Sequence, residues 1–426
     1  MNVLVAEVSR IRSSSLVRNA SWLVAGQGLG LFLQAVYFIL LARLLGPVEY
    51  GVYAGAFAFT SLVAPYGPLG TGTVFLRYVA LDTRNFAVYW GNILAVTLVV
   101  GSAAVVGLHF VGAHLLNPSS AALIALAGVS NCIFAQLIVE TSRVFQTFEQ
   151  MRSTAILNLL TSAARTLTAA TMLYLLHRAT AWQWAAASTT VSGMAALATV
   201  VLIYLKFGRP KFSLHTFRGH ATEGIGYAAA MSTASVYNDL DKTMLSHYGM
   251  NHANGIYAMA YRIVDIATIP IFSIRDAAMP RLFKLGHQNL RATWDLAYRL
   301  LGRSAALAAL CSVGMVALSW LIPLVLGQGF AESPIALRWL CLIPLLRSVH
   351  QMTGSALTGA GFQSWRTTAQ VIAAVLNLGL NLWLIPRAGW LGAAWASVAT
   401  DGALAVLCWT MLQIKLNRRS ECTQRA

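Results

Sequence analysis

Residues 86–112 read FAVYWGNILAVTLVVGSAAVVGLHFVG, without one Asp, Glu, Lys or Arg. A helix crosses a bilayer with about 20 mostly apolar residues, so this run is long enough to span. Working outward from it, similar runs fill the chain. We place twelve spans, at 18–44, 48–72, 86–112, 121–143, 154–176, 181–205, 222–246, 254–279, 298–324, 333–357, 367–386 and 389–414. The runs are long, continuous and rich in Leu and Ala, which favours helices over the short alternating strands of a barrel. Pro47, Pro118, Pro210, Pro280 and Pro386 lie at or near run ends, as helix breakers should, whereas Pro65, Pro68, Pro270 and Pro344 lie inside runs and predict kinks.

Composition agrees. Of 426 residues 57 % are hydrophobic and only 10 % charged, and mean hydropathy is +0.64. A soluble domain is about 25 % charged, so an ordinary soluble enzyme is excluded. The net charge of +16 does not point to nucleic acid, because too little polar surface remains to build such a site. No loop is long enough to fold as a domain, and no GxxxxGK[ST] phosphate loop occurs. Energy for any work must come from a gradient or a partner. The five cysteines show no metal-ligand spacing; no cofactor or metal is expected. The first run lacks a small-x-small site at its end and is expected to be an uncleaved span.

The basic residues test the topology. With the N-terminus cytoplasmic, 21 of the 30 fall on the cytoplasmic side, from Arg10, Arg12 and Arg18 through Arg77, Arg209, Lys211 and Arg366 to Arg418, Arg419 and Arg425. Only Arg43, Arg178 and Arg387 fall opposite. Both termini are therefore expected in the cytoplasm. Arg165, Lys242, Arg262, Arg275, Arg338 and Arg347 remain inside or at the edge of spans.

The two halves look duplicated. Gly51-Val52-Tyr53-Ala54 is matched by Gly255-Ile256-Tyr257-Ala258, and Arg77 by Arg281, at the same offset. The expected organisation is an N-terminal six-helix bundle over 1–206, a cytoplasmic linker over 207–221, and a C-terminal six-helix bundle over 222–426 ending in a basic cytoplasmic tail. Parallel repeats of this kind commonly enclose a substrate cavity.

The stretch Ala42-Arg43-Leu44-Leu45-Gly46-Pro47, continuing to Tyr50-Gly51 and Tyr53, resembles the end of the first span in bacterial polysaccharide exporters. Asp239-Leu240-Asp241-Lys242-Thr243-Met244-Leu245 and Gly255-Ile256-Tyr257-Ala258 through Tyr261-Arg262 resemble their seventh and eighth spans, and Gly389 with Gly392-Ala393-Ala394 the start of their twelfth. The chain thus resembles the O-antigen flippase and polysaccharide biosynthesis family, within the multidrug/oligosaccharidyl-lipid/polysaccharide exporter superfamily. The resemblance implies an all-α membrane protein with twelve transmembrane helices in two pseudo-symmetric six-helix bundles around a central cavity. It implies a bacterial inner-membrane location and a non-enzymatic role. The cargo would be an undecaprenyl-pyrophosphate-linked oligosaccharide, an O-antigen, capsule or exopolysaccharide repeat unit, flipped from the cytoplasmic to the periplasmic leaflet by alternating access. Polymerase and chain-length proteins are the expected partners besides the bilayer itself. The runner-up is an ion-coupled multidrug exporter, and behind it a membrane glycosyltransferase or polymerase, for which no large loop is visible.

Buried charge supplies the candidate site. Arg or Lys at bilayer centre costs about 2.5–3.5 kcal/mol on insertion scales, so such residues need a partner or a role. Arg165, Lys242, Arg262 and Arg347, with the motif residue Arg43, are candidates for a cationic cavity, since guanidinium groups grip phosphate oxygens bidentately. Arg165 and Arg347 lack acidic partners along their own helices, whereas Arg262 has Asp265 and Lys242 has Asp239 and Asp241 nearby. For each cation a plain ion pair, interhelical bridge or interface anchor is the competing reading. Asp401, which has no basic residue in reach along its helix, is the lone-carboxylate candidate for coupling to a proton or sodium ion, and Asp239, Asp241 and Asp265 are further candidates. Asp239 and Asp241, two residues apart, are expected to face different sides of their helix. Arg275 and Arg338 are expected to reach the interface. Trp22, Trp90, Trp182, Trp184, Trp294, Trp320, Trp383 and Trp390 lie near span ends and are expected to form an interfacial belt.

Overall fold

A computed structural model describes the backbone of residues 2–286 and 290–425, and the side chains of 28–279, 281–286 and 291–417. Arg10, Arg12, Arg18, Arg418, Arg419 and Arg425, which enter the charge count above, and Trp22 of the expected belt lie outside the described side chains. Among the described residues there is no strand. Among the described residues, nine helices are long and apolar enough to cross a membrane by length and composition: Gly28–Ser61, Thr83–Leu115, Ile124–Thr147, Met151–Leu176, Ala181–Phe207, Asn251–Met279, Arg291–Leu326, Gln363–Ala388 and Trp390–Asn417. Large apolar side chains such as Val99, Phe110, Leu160 and Leu167 are exposed on them, the inverse of a water-soluble surface.

Three expected spans differ. The helix Asn2–Ser61 merges the first span with the start of the second across a kink at Gly46 (φ 66°, ψ 176°), followed by Pro47. Glycine tolerates that positive φ, and the extended ψ suits a residue before proline. Beyond Ser61 the expected 48–72 span ends early. A 3₁₀ turn, Ala64–Tyr66, has Pro65 in its first turn, and the helix Thr71–Leu81 starts afresh after Gly70 (φ 69°). Pro65 and Pro68 therefore accompany a full break and not a kink. The 333–357 span is likewise divided, into Ser333–Leu340 and Ile343–Gly359, with Pro344 in the first turn of the second piece. The 222–246 span lies within the continuous helix Leu214–His247 but carries Asn238, Asp239, Asp241 and Lys242. Pro270 is accommodated inside the helix Asn251–Gly286, and so is Pro280, which therefore does not end its helix as expected.

The chain divides into two compact units, Met1–Leu45 with Thr60–Ser232, and Gly46–Phe59 with Thr233–Ala426. In the first, Phe75, Val79, Phe86, Trp90, Ile93, Val144, Phe145, Leu157 and Ile203 form an apolar core. Trp90 and Trp184 are fully buried there. They therefore belong to the packed interior and not to the interfacial belt, because each ring faces its neighbours and not the lipid. Trp182, Trp320 and Trp383 are exposed. In the second unit, Ala278, Leu282, Ala297, Ala356, Leu357 and Leu412 form a core.

The 207–221 stretch is fastened to the first unit. The Lys211 amide donates to the Ala87 carbonyl at 2.7 Å. The Ser213 amide donates to Asn92 Oδ1 at 2.9 Å. Arg77 Nη1 meets Glu223 Oε1 at 2.7 Å, and the Tyr89 hydroxyl lies 3.1 Å from His220 Nε2. The passage into the second unit comes at Ser232–Thr233, inside the helix Leu214–His247. The segment 46–59 packs with the second unit through glycines. Asn254 Nδ2 donates to the Gly51 carbonyl at 2.9 Å, and a Cβ on Gly51 would fall on the Asn251 carbonyl. These close backbone approaches are what small residues permit between helices.

Candidate functional site

In the second unit four helical pieces direct polar side chains at one another. The helix Leu214–His247 contributes Asn238, Asp239, Asp241 and Lys242. Asn251–Gly286 contributes Tyr257, Tyr261, Arg262, Asp265 and Thr268. Ile343–Gly359 contributes Arg347 and His350, and Trp390–Arg425 contributes Ser397 and Asp401. Lys242, Asp241, Arg347, His350, Ser397 and Asp401 are all buried.

Lys242 Nζ lies 3.1 Å from Asp239 Oδ1 and 3.3 Å from Asp241 Oδ1. It also donates to the Asn238 carbonyl at 2.5 Å. Its long stem folds back along the helix, so both carboxylates reach one ammonium. The two acids do not serve separate faces, as their spacing alone suggested. Asp241 Oδ2 accepts from the Tyr257 hydroxyl and from Ser397 Oγ at 3.1 Å.

Arg347 is the second hub. Nη1 donates to Asp265 Oδ1 at 3.2 Å. Nη2 donates to the Tyr261 hydroxyl at 2.7 Å and to Asn238 Oδ1 at 3.1 Å. Nε is 3.7 Å from Asp401 Oδ2. Asp401 Oδ1 is 3.3 Å from His350 Nε2, within ion-pair range but outside hydrogen-bond alignment. The Tyr261 ring joins the two hubs: Lys242 Nζ stands 4.2 Å and the Arg347 guanidinium carbon 5.4 Å from its centroid. Arg262, half-buried, meets Asp265 Oδ2 at 3.5 Å and lies beside the Tyr50 hydroxyl.

The structure thus joins Lys242, Arg262, Arg347, Asp239, Asp241, Asp265 and Asp401. Arg347 and Asp401 have no partner along their own helices, but they find each other across helices. Asp401 is therefore not a lone carboxylate. Arg165 and Arg43 belong to the first unit. The Arg165 guanidinium stands 5.9 Å from the Tyr37 ring centroid, and its Nε is buried without a hydrogen-bond partner. Arg43 is exposed. Tyr257, Tyr261, Asn238 and Ser397 were not singled out as site residues from sequence. Tyr257 and Tyr261 did carry a signal, since they sit four apart beside Arg262 on one helix.

Formally the network holds three cations, Lys242, Arg262 and Arg347, against four carboxylates, Asp239, Asp241, Asp265 and Asp401. Its buried cations are matched internally. Removing one partner of such a pair costs about 3–5 kcal/mol. Among the described residues no group of three or more His, Cys, Asp or Glu side chains could hold a metal ion.

The architecture is that of known membrane transporters. The chain is similar to a multidrug resistance MATE family transporter of the MOP superfamily in its inward-facing conformation, with TM-score 0.74 and 12 % identity over 92 % of this chain and 96 % of that one. An outward-facing MATE transporter of the same superfamily gives 0.65 and 15 %, over 95 % and 96 %. A MOP superfamily transporter from Pyrococcus furiosus, described as having a binding pocket of reverse polarity, gives 0.64 and 14 %, over 95 % of each chain. No curated protein sequence matches. The fold is therefore that of an all-α, multi-pass membrane protein with twelve transmembrane helices in two bundles. The family profile described as polysaccharide biosynthesis protein matches residues 16–286, more than half of the chain, and the chain belongs to that family.

Proposed function

We propose that this protein is a flippase of the bacterial inner membrane. It carries an undecaprenyl-pyrophosphate-linked oligosaccharide, the repeat unit of an O-antigen, capsule or exopolysaccharide, from the cytoplasmic to the periplasmic leaflet by alternating access. The observation that carries this reading is the buried ionic network on Lys242, Tyr261, Arg347 and Asp401, in a chain of the polysaccharide biosynthesis family. Ionisable groups inside spans are costly and mark transport pathways, and each of these bonds joins different helices or locks one helix turn. Arg165, Lys242, Arg262, Arg347 and Arg43 engage the pyrophosphate and acidic sugars. Asp401, Asp239, Asp241 and Asp265 take up the coupling proton or sodium ion. The fourth carboxylate, in excess of the three cations, supports such coupling.

That same excess favours a second reading, an ion-coupled exporter of cationic compounds. The test reconstitutes the full-length protein in liposomes with fluorescent lipid-linked oligosaccharide in one leaflet and follows its accessibility to a membrane-impermeant quencher. Flipping that requires the protein and collapses in Arg347→Gln is expected. Extrusion of a cationic dye with no flipping would overturn the proposal in favour of the exporter.

A further inference from the structure

Below the network in the same unit, a second pair of guanidinium groups converges with much less compensation. Arg275 lies on the helix Asn251–Gly286 and Arg366 on the first turn of Gln363–Ala388. Arg275 Nη1 donates to Gln351 Oε1 at 2.9 Å. Arg366 Nη2 donates to the same oxygen at 3.4 Å. Gln351 itself is buried. Two cations therefore share one neutral acceptor.

Arg275 has a carboxylate at its outer edge, where Nη2 meets Asp276 Oδ1 at 2.7 Å; the Asp276 side chain is 64 % exposed. Arg366 has only neutral acceptors: Gln351 and, through Nη1 at 3.2 Å, Thr358 Oγ1. Among the described residues no carboxylate lies within ion-pair distance of it. The room for it is built in. Gln351, Gly354 and Thr358 follow one another along one face of Ile343–Gly359, and a Cβ on Gly354 would stand 3.1 Å from Arg366 Nε. Neither guanidinium is sealed off: the Arg275 side chain is 24 % exposed, and Arg366 is half-buried.

Counting Arg366 among the cytoplasmic topology markers explains a positive charge at this end of the helix. It does not explain why Arg366 is folded back onto a glycine to share an acceptor with another arginine. Like charges brought together in a low-dielectric site repel. A guanidinium has five N–H donors in a planar fork, and neither Arg275 nor Arg366 spends all of them on the bonds above. A small tetrahedral oxyanion would neutralise the pair and accept from both forks, the geometry for which arginine surpasses lysine.

We propose that Arg275 and Arg366, spaced by Gln351, form a binding site for a phosphate-type oxyanion. The inference does not depend on the cargo assigned above, because a bilayer phospholipid headgroup and a polyprenyl pyrophosphate share this chemistry.

The test uses the purified full-length protein in nanodiscs of phosphatidylcholine and reads the thermal unfolding midpoint while inorganic pyrophosphate is titrated. A saturable rise of several degrees is expected. In a second arm phosphatidylglycerol replaces part of the phosphatidylcholine. If an anionic headgroup is the natural occupant, the midpoint rises without pyrophosphate, and added pyrophosphate does little more. If the site is kept for a cargo phosphate, the pyrophosphate response persists. Gln351→Glu places a carboxylate between the two guanidinium groups and should fold at least as well as the parent. It is expected to weaken the response at least tenfold, as is Arg366→Gln. Arg338→Gln, in the same unit but outside both sites, where Nε bonds Ser319 Oγ, should leave the response intact, which separates this site from a general loss of positive charge. No response to either anion in the parent, or an undiminished response in folded Gln351→Glu, would overturn the proposal.

Discussion

Gly51 and Gly255 pack backbone against backbone in the second unit. A Cβ on Gly51 would lie 2.7 Å from the Gly255 amide nitrogen, and one on Gly255 would overlap the Pro47 carbonyl. These are the two glycines that open the repeated Gly-x-Tyr-Ala motif, so the motifs of the two halves meet at their smallest residues. Neither opposing atom is a flexible side-chain end that could swing aside. Gly255→Ala is therefore expected to destabilise the protein by about 1–3 kcal/mol through overpacking, and Gly255→Val by more. Thermal unfolding in detergent, against an exposed control such as Gly107→Ala, measures this. A midpoint equal to the parent's in Gly255→Val would show that the helices do not approach this closely.

Arg347 and Asp401 allow a sharper test, because their single and double variants should not add. Arg347→Ala strips Asp265, Asp401 and the Tyr261 hydroxyl of a cation in a buried setting, and a loss of about 3–5 kcal/mol is expected. Asp401→Asn alone removes a carboxylate that Arg347 and His350 both approach. In the double variant the uncompensated carboxylate at 401 is gone, so part of the damage should be relieved. A coupling of about 1–3 kcal/mol is expected from the double-mutant cycle. Strict additivity would mean that the 3.7 Å approach of the two groups carries no interaction.

Tyr261 separates two kinds of contact. Its hydroxyl accepts from Arg347, while its ring face lies under both Lys242 and Arg347. Tyr261→Phe keeps the ring and loses only the bond, so a cost of about 1–3 kcal/mol is expected for a partner that is charged. Tyr261→Leu loses the ring as well and should cost about 1–2 kcal/mol more, since cation–π contacts are strongest when desolvated. Unfolding in detergent measures both. Equal midpoints for the Phe and Leu variants would remove the ring from the account.

These residues also show what a sequence can tell. Hydropathy locates the spans where the outer face is lipid and uniformly apolar, as at 86–112 and 181–205. It is weakest at 222–246 and 333–357, the segments that hold Asp239, Asp241, Lys242, Arg347 and His350, because inward polar groups lower the very signal that marks a span. Charge pairs three apart, Lys242 with Asp239 and Arg262 with Asp265, were visible because helix spacing brings them together. Arg347 with Asp401 and Asp241 with Ser397 were not, since each pair is joined only by interhelical packing. Trp90 and Trp184 show the same limit from the other side: position along a span was legible, but which face each ring occupies was not. The departure at 46–59 has a local cause in Gly46 and Pro47, yet its packing partner could be read only from the structure.

The segment joining the bundles poses a question of magnitude. It is tied to the first unit by an outer ion pair, Arg77 with Glu223, and by an inner bond from the Ser213 amide to Asn92. The Arg77 side chain is 61 % exposed, and exposed pairs contribute about 0–1 kcal/mol. Asn92 is buried, and losing its carbonyl leaves a backbone donor unsatisfied, at about 1–3 kcal/mol. Asn92→Leu is therefore expected to loosen the segment, which the Lys211–Ala87 and Tyr89–His220 bonds still hold, and Glu223→Gln to leave it almost unchanged. Limited proteolysis at Arg209 and Lys211 reads the difference directly: cleavage should accelerate several-fold in Asn92→Leu and by less than twofold in Glu223→Gln. The reverse order would assign the fastening to the surface pair, and rapid cleavage of the parent would show that the segment is not fastened at all.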